Sequence, residues 1–177
     1  MPKGSASAQP SPPAAAPGRT IIRGAAAGDL DAIDAIETRS FDKDRFPRRN
    51  LVRVMKSPAT VFLLAENGGR PAGYLMLLFR RGSRVVRLYS LAVDPDFRGR
   101  GVADSLLGAA GEAAAARGAD RLRLEFRPSN LAAQRLYERA GFALLERRAA
   151  YYDDGEDAIR MEKRLAPKAS GDRSAPS

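Results

Sequence analysis

The sequence predicts an α/β fold, with a mixed, mostly antiparallel twisted sheet of about seven strands and helices on both faces. Three observations support this prediction. Strand-like and helix-like segments follow one another in the order β-α-α-β-β-β-α-β-α-β-β. Of the 177 residues, 44% are hydrophobic, which is enough for the core of one domain. Glycine, proline and acidic clusters separate the segments, as expected for short connections.

The first half of the predicted domain contains two helices between strands. The helical spacing of Leu30, Ile33 and Ile36 predicts a helix with Asp29 as its N-cap. A later helix is expected to stop before Pro58, because the residue before a proline disfavours helical backbone. The predicted segments are strand Thr20–Arg23, the helix after Asp29, helix Arg48–Lys56, and strands Val61–Ala65 and Tyr74–Phe79, joined by a turn at Asn67-Gly68-Gly69.

The second half alternates strands and helices more regularly. Apolar and polar residues alternate strictly over Arg121–Phe126, which is typical of a half-buried strand. Gly141 is the predicted stop of the helix that precedes it. The predicted segments are strand Val85–Val93, a helix from about Ala103 to Arg117, strand Arg121–Phe126, helix Asn130–Arg139, and strands around Phe142–Tyr151 and Ala158–Leu165 flanking the acidic turn DDGED.

The two ends of the chain differ in composition from the segments between them. Residues 1–18 are rich in proline, alanine and serine, and residues 166–177 are polar and unpatterned. Both are predicted to be disordered tails around a domain over residues 19–165, since they offer little apolar surface to bury. The first tail lacks the apolar segment of a signal peptide, and no later segment is long enough to span a membrane. The sequence therefore predicts a cytoplasmic protein.

The composition excludes several kinds of chemistry. The chain has no cysteine and no histidine, so a cysteine nucleophile, a Ser-His pair and the common zinc ligands are absent, and no metal is expected. Proton transfer must then use carboxylates, tyrosine, lysine, the amino terminus or water. The formal net charge of +9 suits anionic partners such as phosphorylated cofactors. Because the arginines are scattered, they favour a solvated surface over a nucleic-acid site.

The stretch AVDPDFRGRGVADSLL, residues 92–107, joins a predicted strand to a predicted helix. It lacks the Gly-Lys-Ser or Gly-Lys-Thr of a P-loop. A dinucleotide fingerprint would need glycine directly after the strand and again at Asp104. The pattern Arg/Gln-x-x-Gly-x-Gly/Ala fits at Arg98, Gly101 and Ala103, and it would direct unpaired helix amides at a pyrophosphate. A simple tight turn explains these residues equally well at this point.

Three ordered motifs resemble one enzyme family. The stretch AVDPDFRGRGVADSLL resembles the acetyl-CoA-binding motif of the GNAT superfamily of N-acetyltransferases. Residues 21–165 resemble the bacterial ribosomal-protein-alanine N-acetyltransferases, also through LEFRPSNLAAQRLYERAGF (residues 124–142) and through the double tyrosine Tyr151-Tyr152 with its acidic turn. The segment SFDKDRFPRRNLVRVMKSP (residues 40–58) departs from the acceptor-side sequence of that group, which leaves the acceptor open.

The resemblance implies direct acetyl transfer from acetyl-CoA to a primary amine, without an acyl-enzyme. Glu125 matches the family's general base and Tyr137 its general acid, which protonates the leaving CoA thiolate. Each residue also has a purely structural explanation. Glu125 could form a surface ion pair with Arg123, worth under about 1 kcal/mol. Tyr137 could be a core tyrosine, or its ring could pack while its hydroxyl reaches the cleft.

The resemblance also assigns the residues that bind acetyl-CoA. Backbone groups of a splayed strand would hold the pantetheine amides, and the Val93 amide could polarise the thioester carbonyl. Asn130 suits a cofactor contact and a helix N-cap equally well. The assigned residues are Leu91, Ala92, Val93, Arg98, Gly99, Arg100, Gly101, Val102, Ala103 and Asn130.

Two further positions carry expectations about the site. Asp104 stands where related enzymes often carry a basic residue near the phosphates, so its carboxylate should weaken CoA binding unless it points away or serves the helix dipole. Tyr151 and Tyr152 are expected to border the acceptor groove. If both lie on a strand, its alternation sends them to opposite faces.

The expected acceptor is a protein or peptide N-terminal α-amine, including that of a ribosomal protein. The alternatives within the enzyme class are lysine, peptide or small-molecule amines. A further alternative from another class is a non-catalytic CoA sensor or a basic nucleic-acid-binding module. The protein is expected to be a monomer or a dimer.

Overall fold

Seven strands form one mixed sheet in the computed structural model, which describes residues 18–42 and 44–166. The strand order is β1-β2-β3-β4-β5-β7-β6, and only β4 and β5 run parallel. The strands are β1 Thr20–Gly24, β2 Thr60–Asn67, β3 Arg70–Leu78, β4 Val85–Val93, β5 Arg121–Phe126, β6 Ala143–Arg148 and β7 Ala158–Arg164. The predicted fold class is confirmed. The predicted disordered tails lie outside the described residues, apart from residues 18 and 166.

The helices divide between the two faces of the sheet and bury a core on each. They are α1 Leu30–Ser40, α2 Arg48–Met55, α3 Val102–Ala116 and α4 Leu131–Arg139. Alternate residues of β2 show the division: Phe62 and Leu64 pack with α1 and α2, whereas Leu63 faces the core that α3 and α4 cover. Each face therefore carries an apolar core, and charged side chains of β4, β5 and β7 pair with one another from strand to strand.

Strands β4 and β5 separate part of the way along their length. A register shift between β3 and β4 pairs Met76 with Ser90 and Leu77 with Leu88, so that Tyr89 is an extra residue on β4. Such a bulge bends its strand and increases its twist. The parallel pairing of β4 with β5 covers only Val85–Arg87. Beyond it the two strands diverge, and the gap between them positions the candidate site.

The structure corrects two predictions. Strand β6 ends at Arg148, because the chain turns through Ala150, which has a positive φ of 48°. Tyr151 and Tyr152 therefore lie in the β6–β7 loop and not on a strand. Asp29 precedes α1, but its carboxylate does not cap that helix.

The Asp29 carboxylate instead turns back towards β1. It accepts hydrogen bonds from the Arg23 guanidinium at 2.8 Å and from the Ala26 N–H at 2.8 Å. These contacts lower the pKa of Asp29 to about 2. The N-cap prediction failed because an equally local donor, the Ala26 amide, takes the carboxylate first.

Candidate active site

A cavity of about 750 Å³ opens where β4 and β5 diverge. Its walls come from these strands, from the α1–α2 connection, from the start of α4 and from the β6–β7 loop. The volume lies within the range of small-molecule sites. Eight predicted site residues line it: Leu91, Ala92, Val93, Arg98, Ala103, Glu125, Asn130 and Tyr137. Gly99, Arg100, Gly101 and Val102 do not line it and lie beside it, in the loop and at the start of α3.

The last three residues of β4 present backbone groups to this cavity. Leu91, Ala92 and Val93 pair with β3 on one side, and no described strand pairs with them on the other. The Val93 carbonyl oxygen accepts hydrogen bonds from Ser40 Oγ at 3.3 Å and Arg98 Nε at 3.4 Å. The segment therefore offers an open strand edge to a ligand that carries amide groups.

The N-terminus of α3 is free of side-chain caps. Gly101 precedes the helix with a φ of 73°, a left-handed conformation that favours glycine, and open space surrounds its missing Cβ. Asp104 lies in the first turn, but its carboxylate binds Arg139 of α4 at 3.2 Å. Asp104, which departs from the sequence of the related enzymes, is thus paired with Arg139 of α4. The first amides of α3, with the positive end of the helix dipole, fit a pyrophosphate.

The connection between β4 and α3 is held by its own contacts. Pro95–Phe97 forms a single 3₁₀ turn, in which the Asp94 carboxylate accepts the Asp96 N–H at 3.0 Å. The same carboxylate binds Arg39 of α1 at 2.7 Å. The Phe97 side chain is buried in the core. Residues 94–97, which stand where a dinucleotide fingerprint would need glycine, therefore anchor the glycine loop to both layers of the molecule.

Glu125 is almost wholly buried at the end of β5, with 4% of its side chain exposed. Its Oε2 accepts a hydrogen bond from Arg87 Nε at 3.0 Å, and its Oε1 accepts one from Arg160 Nε at 2.9 Å. The proposed surface pair with Arg123 does not form, because Arg123 binds Glu162 of β7 at 2.6 Å. The carboxylate lies between two guanidinium groups and still borders the cavity.

Tyr137 packs in the core and also borders the cavity. Its ring packs 5.6 Å from the ring of Phe126 and 5.7 Å from that of Phe142, and it also lines the cavity. Burial, with a smaller contribution from Tyr152, raises the pKa of Tyr137 above its usual value, so the phenol carries its proton at neutral pH. Asn130 caps α4 by accepting the Ala133 N–H at 3.0 Å, and it also lines the cavity.

Arg127 joins two loops that line the cavity, a role that sequence reasoning missed. Its Nε binds Asp44 in the α1–α2 connection at 2.6 Å. Its Nη1 binds Asp154 at 2.9 Å and Glu156 at 2.7 Å in the β6–β7 loop. The guanidinium also lies 4.0 Å from the centre of the Tyr152 ring. The acidic turn was visible in the sequence, but its partner lies 27 residues away from Asp154 along the chain.

Both tyrosines of the β6–β7 loop line the cavity, and their rings pack edge to face at 5.1 Å. The expectation that they point to opposite faces is wrong, because a loop does not impose strand alternation. The Tyr151 hydroxyl accepts a hydrogen bond from Arg87 Nη2 at 2.6 Å. The Arg87 side chain also lies over the ring of Tyr89, at 5.2 Å.

A second carboxylate, Glu37 of α1, lies at the inner wall of the cavity. It is 1% exposed and accepts a hydrogen bond from the buried Tyr74 hydroxyl. Ser90 Oγ lies 3.4 Å from the same oxygen, Oε1. Burial raises the pKa of Glu37 above its ordinary value of 4.5. Its position four residues after Ile33, on the buried stripe of α1, was the available sequence signal.

Other classes of site would need a metal-binding cluster or a helix that spans a membrane. Within residues 18–42 and 44–166, no group of three or more acidic side chains could hold a metal ion. None of the helices in the same ranges is long and apolar enough to cross a membrane.

Comparison with known proteins places the chain among acetyltransferases. The model of the Acetyltransferase (GNAT) family matches residues 30–142. An uncharacterized N-acetyltransferase of Methanocaldococcus jannaschii is 34% identical over 152 residues, 85% of this chain and 95% of that protein. A Bacillus subtilis protein described as a ribosomal protein bS18-alanine N-acetyltransferase is 31% identical over 148 residues, 81% and 94% of the two chains. The crystal structure of the ribosomal-protein-S18-alanine N-acetyltransferase of Escherichia coli matches with a TM-score of 0.75 at 28% identity, covering 86% of this chain and 98% of that one.

Proposed function

Since the chain belongs to the GNAT family and is an N-acetyltransferase of that type, we propose that it acetylates the N-terminal α-amine of a protein or peptide, with acetyl-CoA as donor. The relatives described as acting on an alanine of a ribosomal protein support this acceptor class, and a ribosomal protein is its first candidate. We place the reaction in the cytoplasm, where ribosomal proteins are made.

The observation that carries the proposal is the arrangement of the cleft. The uncapped start of α3 lies beside the cavity and Arg98 borders it, which suits the pyrophosphate of acetyl-CoA. The open edge of Leu91–Val93 would receive the pantetheine amides. Glu125 and Tyr137 border the same cavity from β5 and α4. A donor held along β4 would thus present its thioester between a proton acceptor and a proton donor.

Glu125 is the proposed general base. Its Oε2 accepts one hydrogen bond, from Arg87, and a carboxylate oxygen has two lone pairs, so one remains for the acceptor amine or a bridging water. An α-amine has a pKa of about 8, against about 10.4 for lysine, and is therefore easier to deprotonate. Tyr137 is the proposed general acid, because its protonated phenol can supply the proton that the leaving sulfur takes up.

The test is an acceptor panel read by mass spectrometry. Acetyl-CoA is incubated with peptides bearing free N-termini, with N-terminally blocked lysine peptides and with small-molecule amines. We expect acetylation at the α-amine. Glu125→Gln and Tyr137→Phe are each expected to lower kcat at least roughly tenfold, about 1.4 kcal/mol in the barrier. Glu112→Gln, on the exposed side of α3, is the matched control and should retain activity.

Three other outcomes would change either the function or the residue roles proposed here. Products on small-molecule amines alone would overturn the protein acceptor but leave the acetyltransferase activity. Binding of acetyl-CoA without turnover of any amine would favour a CoA sensor. Wild-type rates in both variants would remove the proton-transfer roles from Glu125 and Tyr137.

A further inference from the structure

The chemistry of amine acetylation calls for two proton acceptors at the nitrogen. An ammonium group carries three N–H bonds, and the secondary amide that replaces it carries one. Two protons therefore leave the nitrogen in each turnover. Glu125 can accept one of them, but its oxygens also hold Arg87 and Arg160. A second basic group at the cleft would spare Glu125 from acting twice.

Glu37 is a second carboxylate at the same cavity, in a different environment. Among the described residues no guanidinium forms an ion pair with it, and the hydroxyls of Tyr74 on β3 and Ser90 on β4 donate hydrogen bonds to it. Its other oxygen, Oε2, is buried without a hydrogen-bond partner among the described residues. The Phe46 N–H also lowers the pKa of this carboxyl, although Oε2 makes no hydrogen bond to the described residues. Buried polar atoms in this condition are uncommon and call for an explanation.

Ser90 connects this carboxylate to the space where the reaction would occur. It is partly exposed, lines the cavity, and directly precedes the Leu91–Val93 segment. Its Oγ lies 2.9 Å from the Tyr74 hydroxyl and 3.4 Å from Glu37 Oε1. A hydroxyl donates one proton and accepts through two lone pairs. Ser90 can thus accept a hydrogen from the cavity while donating its own towards Glu37.

We propose that Glu37 takes one of the two protons of the acceptor amine through the hydroxyl of Ser90, while Glu125 takes the other. This inference rests on the proposed function, since it assigns a role within the same reaction. Ser90 contacts the amine in this scheme, and Glu37 acts through it.

The steps balance in atoms and charge. One ammonium N–H bond breaks and its proton passes to Ser90 Oγ, while the Ser90 hydroxyl proton passes to Glu37 Oε1. The amine lone pair then forms the C–N bond, and the C–S electron pair leaves with sulfur. Glu125 takes the second proton from nitrogen, and Tyr137 gives its proton to sulfur. Tyr137 regains the proton held by Glu125, and Glu37 releases its own to solvent.

The groups that face Glu37 fit a reversible proton acceptor. Burial, followed by the charge of Glu37, raises the pKa of Tyr74 well above its usual value, so Tyr74 remains a donor throughout. Burial also raises the pKa of Glu37, whereas Tyr74, the Phe46 amide, Ser90 and the charge of Arg45 oppose that rise. A raised pKa moves a carboxyl towards neutral pH, where it can both accept and release a proton.

The experiment is the pH profile of kcat/KM for the wild type and four variants, with an acceptor identified by the panel. Glu37→Gln is expected to lower kcat at least roughly tenfold and to remove its ionisation from the acidic limb. Ser90→Ala should lower kcat similarly, and Ser90→Thr, which keeps the hydroxyl, should restore most of the rate. Tyr74→Phe retains the carboxylate but removes a hydrogen bond that lowers its pKa, so the acidic limb should move to higher pH.

The readouts separate this role from a structural one. Acetyl-CoA affinity by calorimetry and the melting temperature are measured for each variant, and Glu112→Gln again serves as the control. If Glu37→Gln does not fold, the Tyr74 and Ser90 variants decide. An unmoved acidic limb in Tyr74→Phe, or wild-type kcat in Ser90→Ala, would overturn the proposal. A wild-type protein that turns over no amine would instead contradict the proposed function itself.

Discussion

The two buried carboxylates of the cleft have different partners. Glu125 lies between two guanidinium groups, which provide opposite charge and directed hydrogen bonds. Glu37 has hydroxyl donors, and burial is the largest influence on its pKa. A buried charge without an ion-pair partner weakens the folded state whenever it is ionised. The stability of the protein should therefore depend on pH through Glu37.

Glu37→Gln is predicted to change how stability depends on pH. The folded state binds the Glu37 proton more tightly than the unfolded state does, because burial raises its pKa above 4.5. Between these two pKa values the unfolded state carries fewer protons, so the free energy of unfolding falls as the pH rises. The wild type should lose stability over that window, and Glu37→Gln should not. Denaturant unfolding from pH 4 to pH 8 measures this, and parallel curves for the two proteins would contradict it.

The predictability of single residues from sequence depended on how far away their partners lie. Glu125, Tyr137 and Arg98 belong to local motifs, and the structure places all three at one cavity. Arg127 also belongs to the motif of residues 124–142, but that motif does not show which residues it binds, and Glu37 belongs to none of the three motifs. Arg127 binds Asp44, 83 residues earlier in the chain, and Glu37 depends on Tyr74, 37 residues later. Only the fold brings these side chains together, so neither role could be derived from spacing.

At the scale of elements, helix α3 contains two glycines that should respond oppositely to the same substitution. Gly101 precedes the helix with a φ of 73°, whereas Gly108 lies inside it at an exposed position. A Cβ at either position meets no atom within 4 Å, so the backbone conformation decides the effect. The N-terminus of α3 should therefore depend on Gly101, and the helix interior should tolerate alanine.

Gly101→Ala is predicted to lower the free energy of unfolding by about 1 kcal/mol, through left-handed strain. Gly108→Ala is predicted to raise it by about 0.5–1 kcal/mol, since alanine is the better helix former. Gly101→Ala should also raise the KM for acetyl-CoA, and Gly108→Ala should not. Thermal unfolding and steady-state kinetics measure both effects. Equal shifts in the two variants would show that the glycine loop has no special conformational role.

Element boundaries followed from sequence where local signals were strong. Strands β4 and β5 begin and end at the predicted residues. Strand β3 begins four residues earlier than predicted, because the hairpin pairs Asn67 with Arg70 directly after the turn. Strand β6 is shorter than predicted, because the turn through Ala150 follows from loop contacts and not from hydrophobic pattern. The divergence of β4 from β5 has no signal in either strand alone.

At the scale of the whole molecule, Arg127 connects parts of the chain that lie far apart in sequence. Its side chain is 16% exposed and bridges the α1–α2 connection, the end of β5 and the β6–β7 loop. Residues of both loops line the cavity, and under the proposed function they receive the acceptor, whereas the start of α3 receives the donor. The geometry of the acceptor side should therefore depend on Arg127 more than the donor side does.

Arg127→Lys is predicted to raise the KM for the acceptor about tenfold and to leave the KM for acetyl-CoA unchanged. Lysine keeps the charge but cannot make the forked hydrogen bonds to Asp44 and Glu156 together. Without this fork the two loops should be held less precisely, which weakens the positioning of the acceptor. Arg84→Lys, an exposed partner of Asp120, is the control. Equal increases in both KM values would argue for general loosening of the fold.

The separation of β4 from β5 also links folding to the supply of acetyl donor. Three residue pairs join β4 to β5, and thus the half of the sheet formed by β1–β4 to the half formed by β5–β7. A donor bound along Leu91–Val93 would supply the hydrogen bonds that a neighbouring strand supplies elsewhere. By mass action, a ligand at a hundred times its Kd adds about 2.7 kcal/mol to stability. The resistance of this enzyme to unfolding and proteolysis should then rise and fall with the acetyl-CoA content of the cell.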